Sequence, residues 1–360
     1  MPIGRGAGRA GRAGRFAAVG ALLTLGVALS GCALVGASGE GPGGGAKHPL
    51  TIAFGGDVHF EGELATRLTS SPDTAFGPIA AQFRQADLAM VNLETAITTG
   101  GTPAPKDYTF RAPPTVFRAL KSAGLDVVTM ANNHGMDYGD TGLQDSLAAS
   151  KQAGFPVIGI GRNAAEAYRP YKITVKGTRV AIIGATQVLD DHLIETWTAT
   201  DAKAGLASAK NAPRLVQAVQ QARKDSDVVV VNLHWGQERN SCATPVQRQL
   251  AAQLADAGAD AIVGSHAHVL QAGGYLKGKY VHYGLGNFVF YNSNGPTAQS
   301  GVLTLTLDPK AKATRVTKAD WAPAVISGGI PQPLTGTLAQ QARTQWEGLR
   351  NCADVKAQPA

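Results

Sequence analysis

One pattern recurs along the chain: a short run of β-branched and small apolar residues, then an abrupt polar break. Thr51-Ile-Ala-Phe-Gly-Gly leads into Asp57-Val-His59, Leu88-Ala-Met-Val into Asn92-Leu-Glu94, and Asp126-Val-Val-Thr-Met-Ala into Asn132-Asn133-His134. Val228-Val-Val-Val-Asn-Leu leads into His234-Trp-Gly, and Ala261-Ile-Val-Gly-Ser into His266-Ala-His268. Apolar runs of this length suit strands covered on both faces. They alternate with stretches that read as helices over Pro114–Ala123, Thr141–Ala153, Ala212–Lys224 and Pro245–Ala257. That βαβ rhythm predicts an α/β fold of packed layers. After His268 the pattern turns to strands in succession, Lys279–Leu285, Asn287–Tyr291 and Val302–Leu307, before a last helix over Leu338–Leu349.

The polar breaks concentrate chemistry, since five of the eight histidines sit in them beside Asp57, Glu94 and Asn133. In open α/β sheets ligands collect beyond the carboxyl ends of the strands, so the five breaks are expected to converge. Carboxylate, amide oxygen and neutral imidazole are the donors that borderline divalent ions accept, and no cysteine joins the set. Two cations about 3.5 to 4 Å apart can polarise a phosphoryl or carbonyl oxygen and generate a nucleophile near neutral pH. Taken singly, each piece has a plainer reading: a turn with a solvated histidine for Asp57-Val-His59, a cap for Glu94, a turn for Asn132-Asn133-His134. The pair His266-x-His268 places both imidazoles on one side of an extended chain, though a hydrogen-bonded loop would use it too.

The order Asp-x-His, later acid, Asn-His, lone His and Gly-x-His-x-His resembles the calcineurin-like metallophosphoesterases. The surrounding phrases resemble one branch more closely, the CapA-type proteins linked to poly-gamma-glutamate capsule synthesis. They are Gly56-Asp-Val, Val91-Asn-Leu-Glu94, Phe110-Arg-Ala-Pro113, Ala131-Asn-Asn-His134 with Asp137 and Gly139, His234-Trp-Gly-x-Glu238, Gly258 through Gln271, and Gly284-Leu-Gly-Asn-Phe-Val-Phe290. The resemblance runs from about Leu50 to Asn292 and implies a layered α-β-β-α sandwich of the metallophosphoesterase type. Carried over residue by residue, it puts Asp57, His59 and His268 on one metal and Asn133, His234 and His266 on the other, with Glu94 as bridge. The broader superfamily uses an aspartate there, so the longer side chain leaves the bridging role open. The ions implied are two divalent metals, Mn, Fe or Zn. His134, following the Asn ligand, would contact the substrate oxyanion or protonate the leaving group, oriented by Asp137, and its alternative is a buried, hydrogen-bonded histidine.

Arg111 stands in a rigid Phe-Arg-Ala-Pro-Pro segment, where it would fork onto a substrate carboxylate or phosphate or else remain a surface arginine. Glu238 would accept a proton from a ligand imidazole or be a solvated loop acid.

The N-terminus indicates an address. Arg5, Arg9, Arg12 and Arg15 precede an apolar core over Phe16–Leu29, too short to span a bilayer comfortably, and Leu29-Ser-Gly-Cys32 follows. Residues 1–31 therefore resemble a bacterial lipoprotein signal, with Cys32 lipidated, and the alternative is an uncleaved anchor. Either arrangement puts the rest of the chain at the extracytoplasmic face of the cell membrane. Residues 32–47, rich in Gly, Ala and Ser, read as a tether. A CapA-type domain is expected over 48–335, and a C-terminal helix and tail over 336–360. In an oxidising compartment Cys242 and Cys352 would form a disulfide or stand as two separate thiols.

The formal charge of +7 falls to +3 once the four signal arginines are removed, because no acid precedes Cys32. No Lys/Arg run interleaved with aromatics supports nucleic-acid binding, while a mild positive balance suits an anionic polymer. Two classes of function follow. One is a dimetal hydrolase acting on a phosphoester or an envelope polymer. The other is a non-catalytic scaffold that binds poly-gamma-glutamate or the proteins of a capsule-synthesis membrane complex.

Overall fold

A computed structural model describes residues 46–359. The signal-like segment, Cys32 and the tether up to residue 45 lie outside the described residues.

Two sheets dominate the described region. The first uses strands β1 (Leu50–Val58), β2 (Leu88–Leu93), β3 (Val127–Thr129) and β4 (Val157–Ile158). The second begins with β5 (Tyr171–Val175), β6 (Thr178–Thr186), β7 (Val228–Trp235) and β8 (Ala261–His266). It is completed by β9 (Gly273–Leu276) and β10 (Lys279–His282). The chain then returns to the first sheet with β11 (Asn287–Val289), β12 (Gln299–Leu307), β13 (Val316–Ser327) and β14 (Ile330–Pro333). The first sheet runs β14-β13-β12-β1-β2-β3-β4 with β11 beside β1, and the second runs β9-β10-β8-β7-β6-β5. In each, the strands that precede the polar breaks are parallel: β1, β2 and β3 in one, β7 and β8 in the other, where β6 also runs parallel to β7. Their carboxyl ends therefore point the same way within each sheet.

Strand alternation explains the layers. Ile52, Phe54, Met90 and Val127 from the first sheet share one buried cluster with Ile182, Val228, Val230 and Val263 from the second, so these faces meet. The intervening residues face outward onto helices. Ala53, Val91 and Val128 pack with residues of α1 (Val116–Ala123) and α2 (Gly139–Ala153), whereas Val229, Val231 and Ile262 pack with residues of α3 (Ala212–Asp225) and α4 (Pro245–Ala257). The result is the α-β-β-α sandwich expected from the sequence. Each fully buried Val, Ile or Phe contributes about 1.5 to 3 kcal/mol of transfer free energy, and these runs have no polar face to spare.

Local signals account for the helix bounds. The helix α4 opens with a capping box in which Thr244 and Gln247 satisfy each other's backbone amides, with Pro245 in the first turn, and it closes at left-handed Gly258. The strand expected over Lys279–Leu285 stops at His282, and that expected over Asn287–Tyr291 stops at Val289. Between them the backbone folds in against β1, where Asp57 N donates to Gly286 O at 3.0 Å. Gly56 permits this approach, because a Cβ there would stand 1.9 Å from Gly286 O. The 12-residue β13 had no counterpart among the expected strands, since its Lys, Asp and Pro obscure the alternation. The last helix, α5 (Gly336–Gly348), lays Trp346 against His282, which accepts a 3.0 Å hydrogen bond from the indole. No described helix is long and apolar enough to cross a membrane.

Cys242 and Cys352 are joined by a disulfide across a separation of 110 residues. It ties the loop that follows β7 to the end of the chain. A cross-link closing a loop of that size contributes about 2 to 5 kcal/mol. Reduction is therefore expected to lower the melting temperature by about 5 °C or more. Thermal melts with and without reductant, with free thiols titrated afterwards, check this; identical melts of the fully reduced and oxidised forms would contradict it.

Candidate metal centre

The ligand-type residues sit where the two sheets present their carboxyl ends. Parallel pairing of β1 with β2 sets Asp57 opposite Asn92, and Glu94 follows directly, its amide donating to Val58 O at 2.7 Å. In the second sheet His234 lies opposite Ser265 and Trp235 opposite His266. The sheets are joined at this edge by Asp57, whose Oδ2 accepts from the His266 amide at 3.0 Å.

Two overlapping groups of ligand atoms result. Atoms of Asp57, Glu94 and His234 lie within 4.8 Å of one another, and so do atoms of Glu94, His266 and His268. Glu94 belongs to both. Its Oε1 is 3.5 Å from His234 Nε2, 3.9 Å from His268 Nε2 and 3.9 Å from His134 Nε2. Asn133 Oδ1 stands 2.8 Å from His234 Nε2. His134 Nδ1 is 2.6 Å from Asp137 Oδ2, with both side chains buried.

Three residues singled out in the sequence stand differently. His59 is in neither close group: its Nδ1 accepts from the Glu61 amide at 3.1 Å, and its ring stacks on Phe110 and meets Phe290 and Tyr291 edge-on. Phe110 in turn stacks on His134, so its ring separates the two imidazoles. Arg111 is exposed, with its guanidinium 5.0 Å from the centre of the Tyr138 ring. Glu238 is exposed, and its charge is felt at Glu94.

The electrostatics follow from burial. Desolvation holds His134 and His234 well below the usual imidazole range and brings His266 down to about 3, so these rings stay neutral, the form that ligates. Burial first, and the neighbouring Asp57 carboxylate second, push Glu94 well above the usual carboxylate range, and burial also raises Asp57. Neither Glu94 oxygen has a hydrogen-bond partner, and neither does His266 Nδ1. An unpaired buried carboxylate is costly, and the charge of Lys106 only partly compensates it. A divalent cation supplies the remaining charge, and carboxylates, an amide oxygen and neutral imidazoles are a suitable donor set. The residues present fit such an ion.

A family model described as "Bacterial capsule synthesis protein PGA_cap" matches residues 51–292, the span that carries every residue of this cluster. The chain belongs to that family. It is 32% identical over 301 residues to the capsule biosynthesis protein CapA of Bacillus anthracis, covering 80% of this chain and 70% of that protein. Over 254 residues it is 32% identical to the PGA biosynthesis protein CapA of Bacillus subtilis, covering 67% of this chain and 63% of that protein. Among solved structures, the calcineurin-like phosphoesterase YfkN of Bacillus subtilis aligns at 18% identity and a TM-score of 0.46, covering 85% of this chain and 100% of that chain.

Several residues of this PGA_cap site had no role in the sequence reading. Asn92 Nδ2 donates to Asp57 Oδ1 at 2.7 Å and lies 3.1 Å from His234 Nδ1, while its Oδ1 accepts from Asn132 at 2.9 Å. Asn132 Oδ1 accepts from the His134 amide at 3.0 Å. Asn287 Oδ1 takes the Nδ1 proton of His268 at 2.7 Å, which turns Nε2 towards Glu94. All three asparagines lie within the phrases that carry the resemblance, and being buried amides beside ligands was the signal available. His266 and His268 have φ of 95° and 55°. Left-handed backbone at non-glycine residues costs about 1 to 3 kcal/mol each and collects at functional sites.

Because Glu94 and Asp57 hold protons more tightly than ordinary carboxylates, a cation entering the site must displace them. Metal affinity is therefore expected to weaken as pH falls through the raised range in which these carboxyls take up protons, by up to about tenfold per pH unit for each proton displaced. Titration of the chelated protein with Mn²⁺ or Zn²⁺ across that range, by calorimetry in buffers of different ionisation enthalpy, measures both affinity and proton release. Affinity independent of pH with no proton released would count against Glu94 as a ligand.

Proposed function

We propose that this PGA_cap protein is a lipid-anchored hydrolase of the extracytoplasmic membrane face, acting in the synthesis or export of poly-gamma-glutamate or a similar anionic capsule polymer. Two divalent ions would sit in its cluster. The observation that carries this reading is Glu94, a buried carboxylate without a hydrogen-bond partner, shared by two groups of ligand atoms. The relatives named as capsule and PGA biosynthesis proteins support the polymer as the partner.

When bound, such ions polarise a phosphoryl or carbonyl oxygen and make a nucleophile available near neutral pH. The protein's own contribution is placement. Asp57 and Asn133 offer oxygen donors, His234, His266 and His268 offer neutral imidazoles, and Glu94 reaches both groups. His134 presents Nε2 to the same space, where that nitrogen can take up a proton during the reaction and pass it to a leaving group. Arg111, at the exposed rim, supplies a fixed positive charge for an anionic chain.

Replacing His266 with Ala is expected to lose metal and turnover together. His134→Ala is expected to keep the metal and lose about a hundred to ten thousand fold in turnover. Elemental analysis, an assay on phosphodiesters and on polyglutamate, and surface polymer scored in a strain lacking the gene read out both variants. Normal surface polymer from a metal-replete His134→Ala protein would defeat the hydrolase and leave a scaffold role.

Anchoring is tested separately. Cys32→Ser is expected to abolish labelling by a fatty-acid probe and to release the protein or leave it unprocessed, because attachment needs that thiol. Full labelling of the Ser variant would exclude the lipid anchor.

A further inference from the structure

Lysine is rarely buried unless paired, yet the Lys106 side chain is only 7% exposed, and it points into the candidate site from the segment 98–110. Its ammonium donates to the backbone carbonyl of Asn133, lies 3.1 Å from Asp137 Oδ1 and 3.6 Å from Asp190 Oδ2, and sits 5.4 Å from the centre of the Trp197 ring. The same segment is bound to Asp137 a second time, Ala104 N donating to Asp137 O at 2.8 Å.

Consider what Asp137 meets. Its Oδ2 accepts from the Phe110 amide at 2.6 Å, and its Oδ1 faces Lys106, which can only donate. A proton on Oδ1 would oppose the ammonium, so these neighbours demand the carboxylate. A carboxylate can only accept, so the remaining contact, His134 Nδ1 at 2.6 Å from Oδ2, must be a donor as well. That fixes the Nδ1–H tautomer of His134 and leaves Nε2 facing Glu94 at 3.9 Å. Burial is the largest influence on Asp137 and leaves it raised to about 7 even with Lys106, the foremost group drawing it down, beside it.

We propose that Lys106 is a positioning residue of this site: one buried ammonium holds Asp137 as an acceptor, thereby setting the tautomer of His134, and clips the Asn133 peptide in place. The role in turnover rests on the hydrolase reading above; the tautomer does not.

The test uses the full chain in detergent, with ¹⁵N-labelled histidine, at pH 8. Two-bond ¹H–¹⁵N correlations report which ring nitrogen carries the proton, and His134→Gln assigns the resonance. Wild type is expected to show His134 protonated at Nδ1. Lys106→Met is expected to shift it to Nε2–H or a mixture, and Lys106→Arg to restore it. In parallel, kcat on bis(p-nitrophenyl) phosphate is expected to fall about 10- to 100-fold in Lys106→Met with KM changed less than about threefold. A merely structural lysine would lower the melting temperature and leave the tautomer alone. A folded Lys106→Met protein that keeps Nδ1–H overturns the proposal, and so does Nε2–H in the wild type, a result that needs no variant to fold. Absence of turnover in wild type would remove the hydrolase reading and leave the tautomer comparison decisive for Lys106.

Discussion

A carboxylate sealed from water without a partner is the constraint on which the rest of this structure depends. Glu94 is wholly buried, is pushed far above its ordinary pKa, and faces three imidazoles and a second carboxylate. Folding alone gains nothing from such an arrangement, since an apolar residue of the same volume would cost less. The surrounding protein is nevertheless built to hold it. Parallel register brings Asp57 beside Asn92, the Glu94 amide is fixed to Val58 O, and Asn132 binds both Asn92 Oδ1 and Leu93 O. These contacts leave the Glu94 oxygens free while pinning the backbone that carries them.

The price in backbone energy falls on the second sheet. His266 and His268 adopt left-handed φ at the end of β8, a conformation their side chains disfavour. It persists because the neighbours overdetermine it. The His266 amide is bonded to Asp57 across the two sheets, Ala267 O accepts from the Arg239 amide, and Asn287 grips the His268 ring. Arg239 belongs to the loop that the Cys242–Cys352 bond ties down. Stability contributed by the sandwich core and the disulfide thus offsets strain concentrated at His266 and His268.

The layers and most of the cluster were legible in the sequence because both rest on period-two patterning. Val228 to Val231 alternate between the sheet interface and the helices, and each ligand-type residue falls where such a run breaks. The helix α4 occupies the residues expected of it, Pro245–Ala257, and the capping box at Thr244 fixes its start. What stayed hidden depends on tertiary register. Nothing local distinguishes Asn92 from other strand-end amides, and its partners are 35 and 142 residues away. Lys106 is hidden for the opposite reason. Its Gly- and Pro-rich surroundings read as solvated loop, and its burial appears only when that loop closes over Asp137. The surroundings of His59 were equally hidden: within the Asp-x-His phrase its ring is packed among Phe110, Phe290 and Tyr291, with Nδ1 accepting from the Glu61 amide.

The partners of the ring nitrogens separate the histidines by task. His268 gives its Nδ1 proton to a neutral amide, Asn287, and His234 has Asn92 and Ser265 beside its Nδ1. Neutral partners orient a ring without adding charge, which suits a ligand that keeps one protonation state. Asp57 stands farther from the other two rings, 3.5 Å from His268 Nδ1 and 3.9 Å from His234 Nδ1, whereas His134 has its carboxylate at 2.6 Å from Nδ1, and that carboxylate is balanced by a buried ammonium. A carboxylate partner stabilises the imidazolium that forms when Nε2 takes up a proton, while the ammonium keeps the carboxylate from taking that proton itself. Within one cluster, then, rings that hold and a ring that exchanges protons are set apart by what stands behind them, and the proposed chemistry follows from that division of partners rather than from the count of histidines.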